Sequence, residues 1–196
     1  MSHSTRSSRA SAARRSPRAF AAALVALLVA SPAAADHARV DAPPLPPAVA
    51  EQAKGLRPQG GGEMRFLGMS IYDGWYWSHA HDWSLGAPFL LDLHYRRSLR
   101  GSMIADRSVS EIERLDVASR VELERWGEQM RRIFPDVADG DRITGLFVPP
   151  GIVRYFFNGM PIGEIADPAF ARAFFGIWLD PKTSRADFRK KLLGGQ

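Results

Sequence analysis

The chain has 196 residues, with 26 lysines and arginines against 21 acidic residues and no cysteine. The lack of cysteine excludes disulfide bonds, a thiol nucleophile and lipid attachment through a cysteine side chain. Five of the basic residues and none of the acidic ones lie in residues 1–35, which leaves 21 of each sign in residues 36–196. The positive excess therefore gives no reason to expect a nucleic-acid partner.

Residues 1–35 have the three parts of an export signal. The five arginines come first, an apolar run follows at residues 19–30, and the alanine triplet 33–35 precedes Asp36. The apolar run is too short to span a bilayer. The sequence predicts a signal peptide cleaved near Ala35/Asp36 and a periplasmic product that is not embedded in the membrane.

The next part of the chain changes from a proline-rich segment to strand-like patterns. Residues 36–55 are rich in proline and alanine and are predicted to form an extended lead-in, and residues 56–196 are predicted to form one domain. Apolar stretches at residues 63–77 and 89–95 predict two strands, separated by a polar and aromatic loop at residues 79–86.

Helical patterns follow these strands. Ser108 and Glu111 have the spacing of a capping box, which predicts a helix that begins at Ser108. A second amphipathic helix is predicted over residues 117–134, because apolar side chains recur on one of its faces. Pro135 is expected to end that helix.

Three further strands are predicted at residues 142–148, 152–157 and 160–165. The dipeptide Asn158-Gly159 lies between two of these apolar runs, which is a strong signal for a β-hairpin.

The chain ends in two predicted helices. Asp167 and Pro168 are typical of the start of a helix, here over residues 169–179, and Ser184 is predicted to cap a short last one. The order of strands, helices, strands and helices predicts an α+β domain, with an antiparallel sheet covered on one face by helices.

Short motifs for metal or nucleotide binding are weak in this sequence. His79, His81 and Asp82 are the one cluster with metal-ligand chemistry, but the sequence offers no third fixed ligand, so we interpret them as part of a solvated loop. The glycine run 60–62 is followed by strand-like residues and lacks the lysine and hydroxyl of a phosphate-binding loop. No metal or other cofactor is predicted.

Aromatic side chains are abundant near the predicted strands and in the penultimate helix. They either fill the core or line an apolar pocket, and the sequence leaves both readings open. The residues considered for a pocket are Tyr72, Trp75, Trp77, Phe174 and Trp178.

Several motifs occur in an order that is familiar. Tyr95-Arg96 closes a strand, Asn158-Gly159 forms a turn, and the segment 174–179 (FFGIWL) precedes a terminal Leu-Leu-Gly at residues 192–194. With these motifs the chain resembles the bacterial exported branch of the chalcone isomerase-like family over residues 56–194. The resemblance implies an open-faced sandwich, in which a curved antiparallel sheet holds a layer of helices with a pocket between them.

The catalytic residues of the family's plant enzymes are mostly not matched in this sequence. Plant enzymes of the family use an arginine near the first strand, helped by a tyrosine, a lysine and an asparagine on the first helix and a threonine on a late one. Here residues 106–112 contain no tyrosine, and residues 176–178 read Gly-Ile-Trp where the threonine would fall. Arg57 and Arg65 are both candidates for the arginine. Because cyclisation of an enone needs oriented hydrogen-bond donors, these departures argue against that reaction.

The leading hypothesis is a periplasmic, non-catalytic protein that binds a small apolar ligand with a carboxylate or carbonyl end, a fatty acid being the type that the resemblance implies. Arg65 would hold the polar end, and the wall would be formed by Tyr72, Trp75, Trp77, Phe174 and Trp178. One alternative is an intramolecular lyase or isomerase that acts on an enone with Arg65 or Arg57 as the electrophile. The other is an envelope partner protein that uses an exposed loop at residues 75–83.

Overall fold

Six strands form one antiparallel sheet in the computed structural model, which describes residues 41–80 and 82–195. The strands lie in chain order, so each one pairs with its neighbour along the chain. Their bounds are β1 Arg57–Phe66, β2 Met69–Ser78, β3 Phe89–Tyr95, β4 Arg142–Val148, β5 Ile152–Phe157 and β6 Met160–Ala166.

The helices are inserted before, within and after this sheet. One precedes β1, two lie between β3 and β4, and two follow β6. Their bounds are α1 Pro47–Gln52, α2 Gly101–Leu115, α3 Arg120–Ile133, α4 Pro168–Leu179 and α5 Ala186–Leu192. The predicted α+β class, with helices against an antiparallel sheet, is confirmed. Among the described residues, no helix is both long and apolar enough to cross a membrane.

Side chains of β3 show how the sheet divides the core, because successive residues of a strand face opposite sides. Leu91, Leu93 and Tyr95 pack against the helices in the main core. Leu90 and Asp92 face the other way, and Leu90 belongs to a second, smaller apolar cluster. We call these two sides of the sheet the helix face and the outer face.

The N-terminal segment covers part of the outer face. The prediction of an extended lead-in over residues 36–55 is wrong at residues 47–52, where α1 forms, whereas residues 41–46 have no regular secondary structure. Val49 of this helix is fully buried, in one cluster with Leu90, Leu146 and Phe156. Large apolar side chains on the outer face of three strands need such a cover, and short-range patterns do not reveal it.

The single strand predicted over residues 63–77 is in fact a hairpin of β1 and β2. Leu67 and Gly68 form its turn, with φ values of +49° and +80°. A leucine in the left-handed region is unusual, since turns of this kind favour asparagine or glycine. The apolar pattern therefore runs through the turn and conceals it.

The predicted start of the first long helix is also wrong. The α2 helix begins at Gly101, and Ser108 lies within it, where its hydroxyl donates to the carbonyl of Ile104 over 2.9 Å. A Cβ at position 101 would lie 2.1 Å from the carbonyl oxygen of Phe134, so a glycine starts the helix where the chain approaches closely. No cap signal marks that position.

The capping box instead operates at α3. The Ser119 hydroxyl accepts a hydrogen bond from the backbone N–H of Glu122, whose carboxylate accepts the Ser119 N–H over 2.8 Å. The predicted helix over 117–134 is confirmed with a later start.

The last third of the chain follows its sequence signals closely. Asn158 and Gly159 form a hairpin turn with φ values of +49° and +85°, and the carboxylate of Asp167 accepts the backbone N–H groups that begin α4. The prediction that Ser184 caps the last helix is wrong, because Arg185 holds the N-cap position of α5. The predicted signal peptide, residues 1–35, lies outside the described residues.

Candidate functional site

A cavity of about 320 Å³ lies between the helix face of the sheet and the helices. Strands β1 to β4 supply its floor, and α2 and α4 supply most of the cover. Its wall is largely apolar and is formed by Met64, Phe66, Ile71, Leu93, Leu99, Met103, Ile104, Phe134, Ile143, Phe174 and Ile177, together with the rings of Tyr72, Tyr95 and Trp178. Such a lining suits an apolar molecule.

Two aromatic side chains form a hydrogen bond in the cavity wall. Trp178 Nε1 in α4 donates to the Tyr72 hydroxyl in β2 over 2.8 Å. Burial raises the pKa of the Tyr72 phenol to about 12, although this hydrogen bond acts in the opposite sense. The phenol is therefore neutral at physiological pH, and no described residue accepts its proton, so it can donate to a ligand.

Glu111 of α2 is the cavity's carboxylate, and it is already engaged. It is buried, it forms an ion pair with Arg107 one turn earlier, and it accepts a hydrogen bond from the Ser184 hydroxyl over 2.7 Å. Arg114 Nε lies 3.9 Å from the same carboxylate oxygen that accepts from Ser184. These partners balance the charge of Glu111 within the protein.

Arg185 is the cation at the cavity that lacks such a partner. Its Nε is buried and has no hydrogen-bond partner, and it forms no ion pair with a described carboxylate. The guanidinium lies over the ring of Phe66, 5.1 Å from the centroid, and that of Arg107 lies 5.4 Å from the same centroid. A buried, unsatisfied N–H of an arginine is rare, and it is suited to receive an anionic ligand.

The structure brings together three of the six predicted ligand-binding residues. Tyr72, Phe174 and Trp178 all lie in the cavity wall. The expected placement of Arg65 is wrong: its guanidinium is exposed in the β1–β2 hairpin, where it pairs with Glu63 at 3.0 Å and donates to the carbonyl of Gly68. Arg57 is exposed at the start of β1, so neither candidate arginine lines the cavity.

Trp75 and Trp77 are also not in the cavity, because they face the other side of β2 from Tyr72 and Tyr76. Trp75 Nε1 donates to the carbonyl of Asp41 over 3.2 Å, and Trp77 packs on the cluster that α1 covers. Strand alternation separates them from the cavity once the turn at residues 67–68 sets the register of β2.

The loop suggested as an exposed contact patch has a different structure. Trp75 and Trp77 belong to β2, and Trp83 is half-buried against the main core. Of the residues considered for a metal, His81 lies outside the described residues. Among the rest of the described chain, no group of three histidine, cysteine or acidic side chains could hold a metal ion.

Sequence reasoning missed the polar residues of the cavity. Arg107 and Glu111 are four residues apart and so lie on one helical face, a spacing that could have flagged them once α2 was placed. Arg185 precedes a short helix and carries no local signal. Its role depends on how α5 folds back onto β1.

A polar cluster occupies the outer face instead. Asp92 is fully buried, and it accepts hydrogen bonds from Arg142 Nε and Nη2 at 2.6 and 2.5 Å and from the Thr144 hydroxyl at 2.7 Å. His94 Nε2 lies 3.0 Å from its other oxygen. Burial alone would raise the pKa of Asp92, but the hydrogen bonds of His94 and Arg142 hold it below its ordinary value.

The sequence model described as chalcone isomerase-like matches residues 90–194, more than half of the chain. The chain belongs to the chalcone isomerase-like family. The match runs from β3 to the end of α5, and it therefore includes the two helices that cover the cavity.

Two further proteins are similar to this chain, one in sequence and one in structure. An uncharacterized protein of Haemophilus influenzae is 28% identical over 109 residues, which cover 55% of this chain and 52% of that protein. The chain thus spans about half the length of this curated relative. The crystal structure of a fatty-acid binding protein of Arabidopsis thaliana superposes with a TM-score of 0.55 and 12% identity, over 72% of this chain and 88% of the other. At that identity the likeness shows the fold, and it confirms the open-faced chalcone isomerase-like sandwich.

Proposed function

We propose that this chalcone isomerase-like protein binds a small apolar molecule with a carboxylate end, such as a fatty acid, and does not transform it. The observation that carries the proposal is Arg185, a cation with no ion-pair partner among the described residues, beside a largely apolar cavity. The Tyr72 hydroxyl, which has a proton to donate, supplies a second polar group in the same wall. The fatty-acid binding protein that shares the fold supports this ligand class.

The cavity dimensions narrow the ligand. Its 320 Å³ lies near the lower end of the roughly 300–1,000 Å³ typical of small-molecule sites. An acyl chain of medium length, such as that of laurate, suits this volume better than a longer chain. The apolar wall would take the hydrocarbon, and Arg185 would hold the carboxylate that replaced its missing partner.

The polar side chains of the cavity wall favour ligand binding over catalysis, because none of them is available as a general base. Glu111 is the carboxylate of the wall, and it already accepts from Arg107 and Ser184, so it is not free to act as a general base. Tyr72 remains neutral and can donate a hydrogen bond but not abstract a proton. The tyrosine and the threonine that the resemblance would require on α2 and α4 are absent from these helices.

We also propose that the protein acts after export. The support is the sequence of residues 1–35, together with the balance of 21 basic and 21 acidic residues that remains after it. Fractionation of the host cell, with N-terminal sequencing of the protein, tests this separately from ligand binding. A protein that retained residues 1–35 in the cytoplasm would contradict it.

The test of the function is a titration of the purified protein with laurate and with lauryl alcohol, followed by tryptophan fluorescence or calorimetry. Arg185→Gln should weaken laurate binding by about tenfold or more, since a hydrogen bond to a charged group contributes ~1.5–3 kcal/mol. The same variant should leave the alcohol's affinity nearly unchanged. Arg65→Gln is the matched control, because Arg65 lies outside the cavity, and it should bind both ligands as the wild-type protein does.

Two results would overturn the proposal. One is equal loss of affinity in the Arg185 and Arg65 variants, which would place the carboxylate elsewhere. The other is turnover of a chalcone-like enone by the wild-type protein, which would instead support the intramolecular lyase alternative.

A further inference from the structure

The exposed apolar side chains of this protein are concentrated at one place. Of the seven large hydrophobic residues that are exposed among the described residues, four lie beside the cavity entrance: Phe66, Leu67, Met69 and Met103. Three of them belong to the turn between β1 and β2, residues 66–69, which we call the hairpin tip. Leu67 is 82% exposed. Clustered exposed apolar residues mark an interaction site.

The backbone of the hairpin tip strengthens this reading. Leu67 has a φ of +49°, a conformation that costs a leucine about 1–2 kcal/mol and that asparagine or glycine adopts more easily. Its side chain reaches solvent and makes no contribution to the core. An apolar residue at a position where it strains the backbone and is largely exposed indicates a role outside the fold.

The hairpin tip is continuous with the ligand cavity. Phe66 lines both the cavity and an adjoining open groove of about 600 Å³, as do Ile71, Leu99 and Met103. A molecule that left the cavity along this wall would therefore meet an apolar surface before it met water.

Arginines surround this apolar surface. Arg97, Arg100, Arg107 and Arg185 line the groove or the cavity, and Arg65 lies beside the turn. Arg65 and Arg107 have carboxylate partners, whereas the other three form no ion pair with a described residue. Asp136, the acidic residue of the groove, accepts the backbone N–H of Gly101. Because residues 36–196 have no net charge, this positive rim is a local feature.

We propose that the hairpin tip and its arginine rim dock on an anionic lipid surface, so that the cavity exchanges its ligand directly with the bilayer. The apolar side chains insert among the acyl chains, and the guanidinium groups of Arg97 and Arg100 lie at the level of the headgroup phosphates. Two residues of the hairpin tip are in contact with arginines. Arg97 Nη1 lies 3.1 Å from the Met69 sulfur, and the Arg185 guanidinium lies over the Phe66 ring. The exchange step rests on the proposed function, but the docking does not.

The test is co-sedimentation of the full chain, expressed with its N-terminal segment and purified as the cell processes it, with vesicles. Vesicles of phosphatidylcholine with phosphatidylglycerol are compared with phosphatidylcholine alone. Wild-type protein should bind the anionic vesicles, and less so as salt is raised. Leu67→Asn should lower the partition coefficient by about tenfold, since it removes a largely exposed leucine side chain from the docked surface.

Matched variants separate docking from folding and from ligand binding. Met160→Gln, at the other exposed hairpin, should bind vesicles as the wild-type protein does. The double variant Arg97→Gln/Arg100→Gln should lose most of the preference for anionic vesicles, whereas Arg120→Gln on α3 should keep it. Leu67→Asn should bind laurate in solution with unchanged affinity.

Each outcome decides one claim. Vesicle binding that depends on Leu67 in a protein with no affinity for laurate would support docking and overturn the proposed function. Equal vesicle binding by the wild-type and Leu67→Asn proteins would overturn docking whatever the laurate result. Docking on lipid would also be overturned if the wild-type protein bound neither kind of vesicle. That holds even if Leu67 then proved necessary for binding a protein partner.

Discussion

The two faces of the sheet are both covered by helices, but the packing beneath the cover differs. On the helix face, bulky aromatic side chains pack into a core that still leaves a cavity of about 320 Å³. On the outer face, a short N-terminal helix packs on a small apolar cluster beside a buried ion pair. The face with the greater apolar bulk is thus the one that stays hollow. Aromatic content by itself does not tell a filled layer from a binding site.

The difference arises from what covers each face. The α2 and α4 helices are held apart from the strands by large rings such as Phe174 and Trp178, which cannot fill every gap between curved and straight elements. The segment around α1 is short and follows the sheet closely, with the carbonyls of Asp41 and Pro44 bonded to Trp75 and Arg142.

The largest effect should follow from breaking the ion pair on the outer face. Arg142→Met leaves the Asp92 carboxylate buried without its main partner, so we expect the free energy of unfolding at pH 7 to fall by about 3–5 kcal/mol. Arg154→Met on the neighbouring strand is the control, because the Arg154–Glu164 pair is exposed and should contribute less than about 1 kcal/mol. Urea unfolding of the three proteins measures both. Similar losses in the two variants would contradict a sealed outer face.

The pH dependence of that loss has a definite sign. The folded-state pKa of Asp92 lies below its ordinary value, so its contribution is complete above the unfolded pKa of about 4 and is lost as pH falls through the lowered value. The wild-type protein should therefore lose more stability than Arg142→Met between about pH 5 and about pH 3. If the difference in free energy of unfolding between the two proteins stayed constant over this pH range, Asp92 would not be the group responsible for the pH dependence.

A second prediction compares tolerance to added volume on the two faces. Val49→Phe should destabilise the protein by about 1–3 kcal/mol, since Val49 is fully buried and a ring there would overpack its neighbours. Ile177→Phe adds side-chain volume next to the cavity. It should change the free energy of unfolding by less than about 1 kcal/mol and should weaken laurate binding. Thermal unfolding and the laurate titration together decide this. Equal destabilisation would mean that the cavity is not available space.

The smallest effect concerns the hairpin tip, which belongs to neither face. Leu67→Asn should raise the free energy of unfolding by about 1 kcal/mol, because asparagine adopts the left-handed conformation with less strain. Calorimetric unfolding measures this, with Met160→Gln as a control that changes an exposed residue without a positive φ. A loss of stability would show that Leu67 supports the fold.

The sequence predicted the elements whose signals are local and failed where tertiary contacts decide. The Asn158-Gly159 turn and the Asp167 cap act through their own backbone neighbours, so both were correctly placed. The start of α2 at Gly101 depends on close approach of the chain near Phe134, which is distant in sequence. The cover of the outer face by α1 depends on β4 and β5 in the same way.

The candidate site was predicted in part for a related reason. Tyr72, Phe174 and Trp178 were found because large aromatic residues tend to line pockets, but Trp75 and Trp77 satisfied the same criterion and lie on the outer face. Separating them needs the register of β2, which the leucine in the turn obscures. The cavity's cation without a described ion-pair partner is Arg185 and not Arg65, and Arg185 reaches the cavity only because the chain around α5 folds back onto β1.

The N-terminal segment also sets an order of events during biosynthesis. It leaves the ribosome first, yet its hydrogen bonds are made with residues about a hundred positions later: the carbonyl of Pro44 with Arg142, and the Gln52 side chain with Arg154. These bonds cannot form until β4 and β5 have been synthesised. The first described part of the chain therefore cannot take its place until residues 142–157 have been made, and this part of the outer face stays uncovered until then.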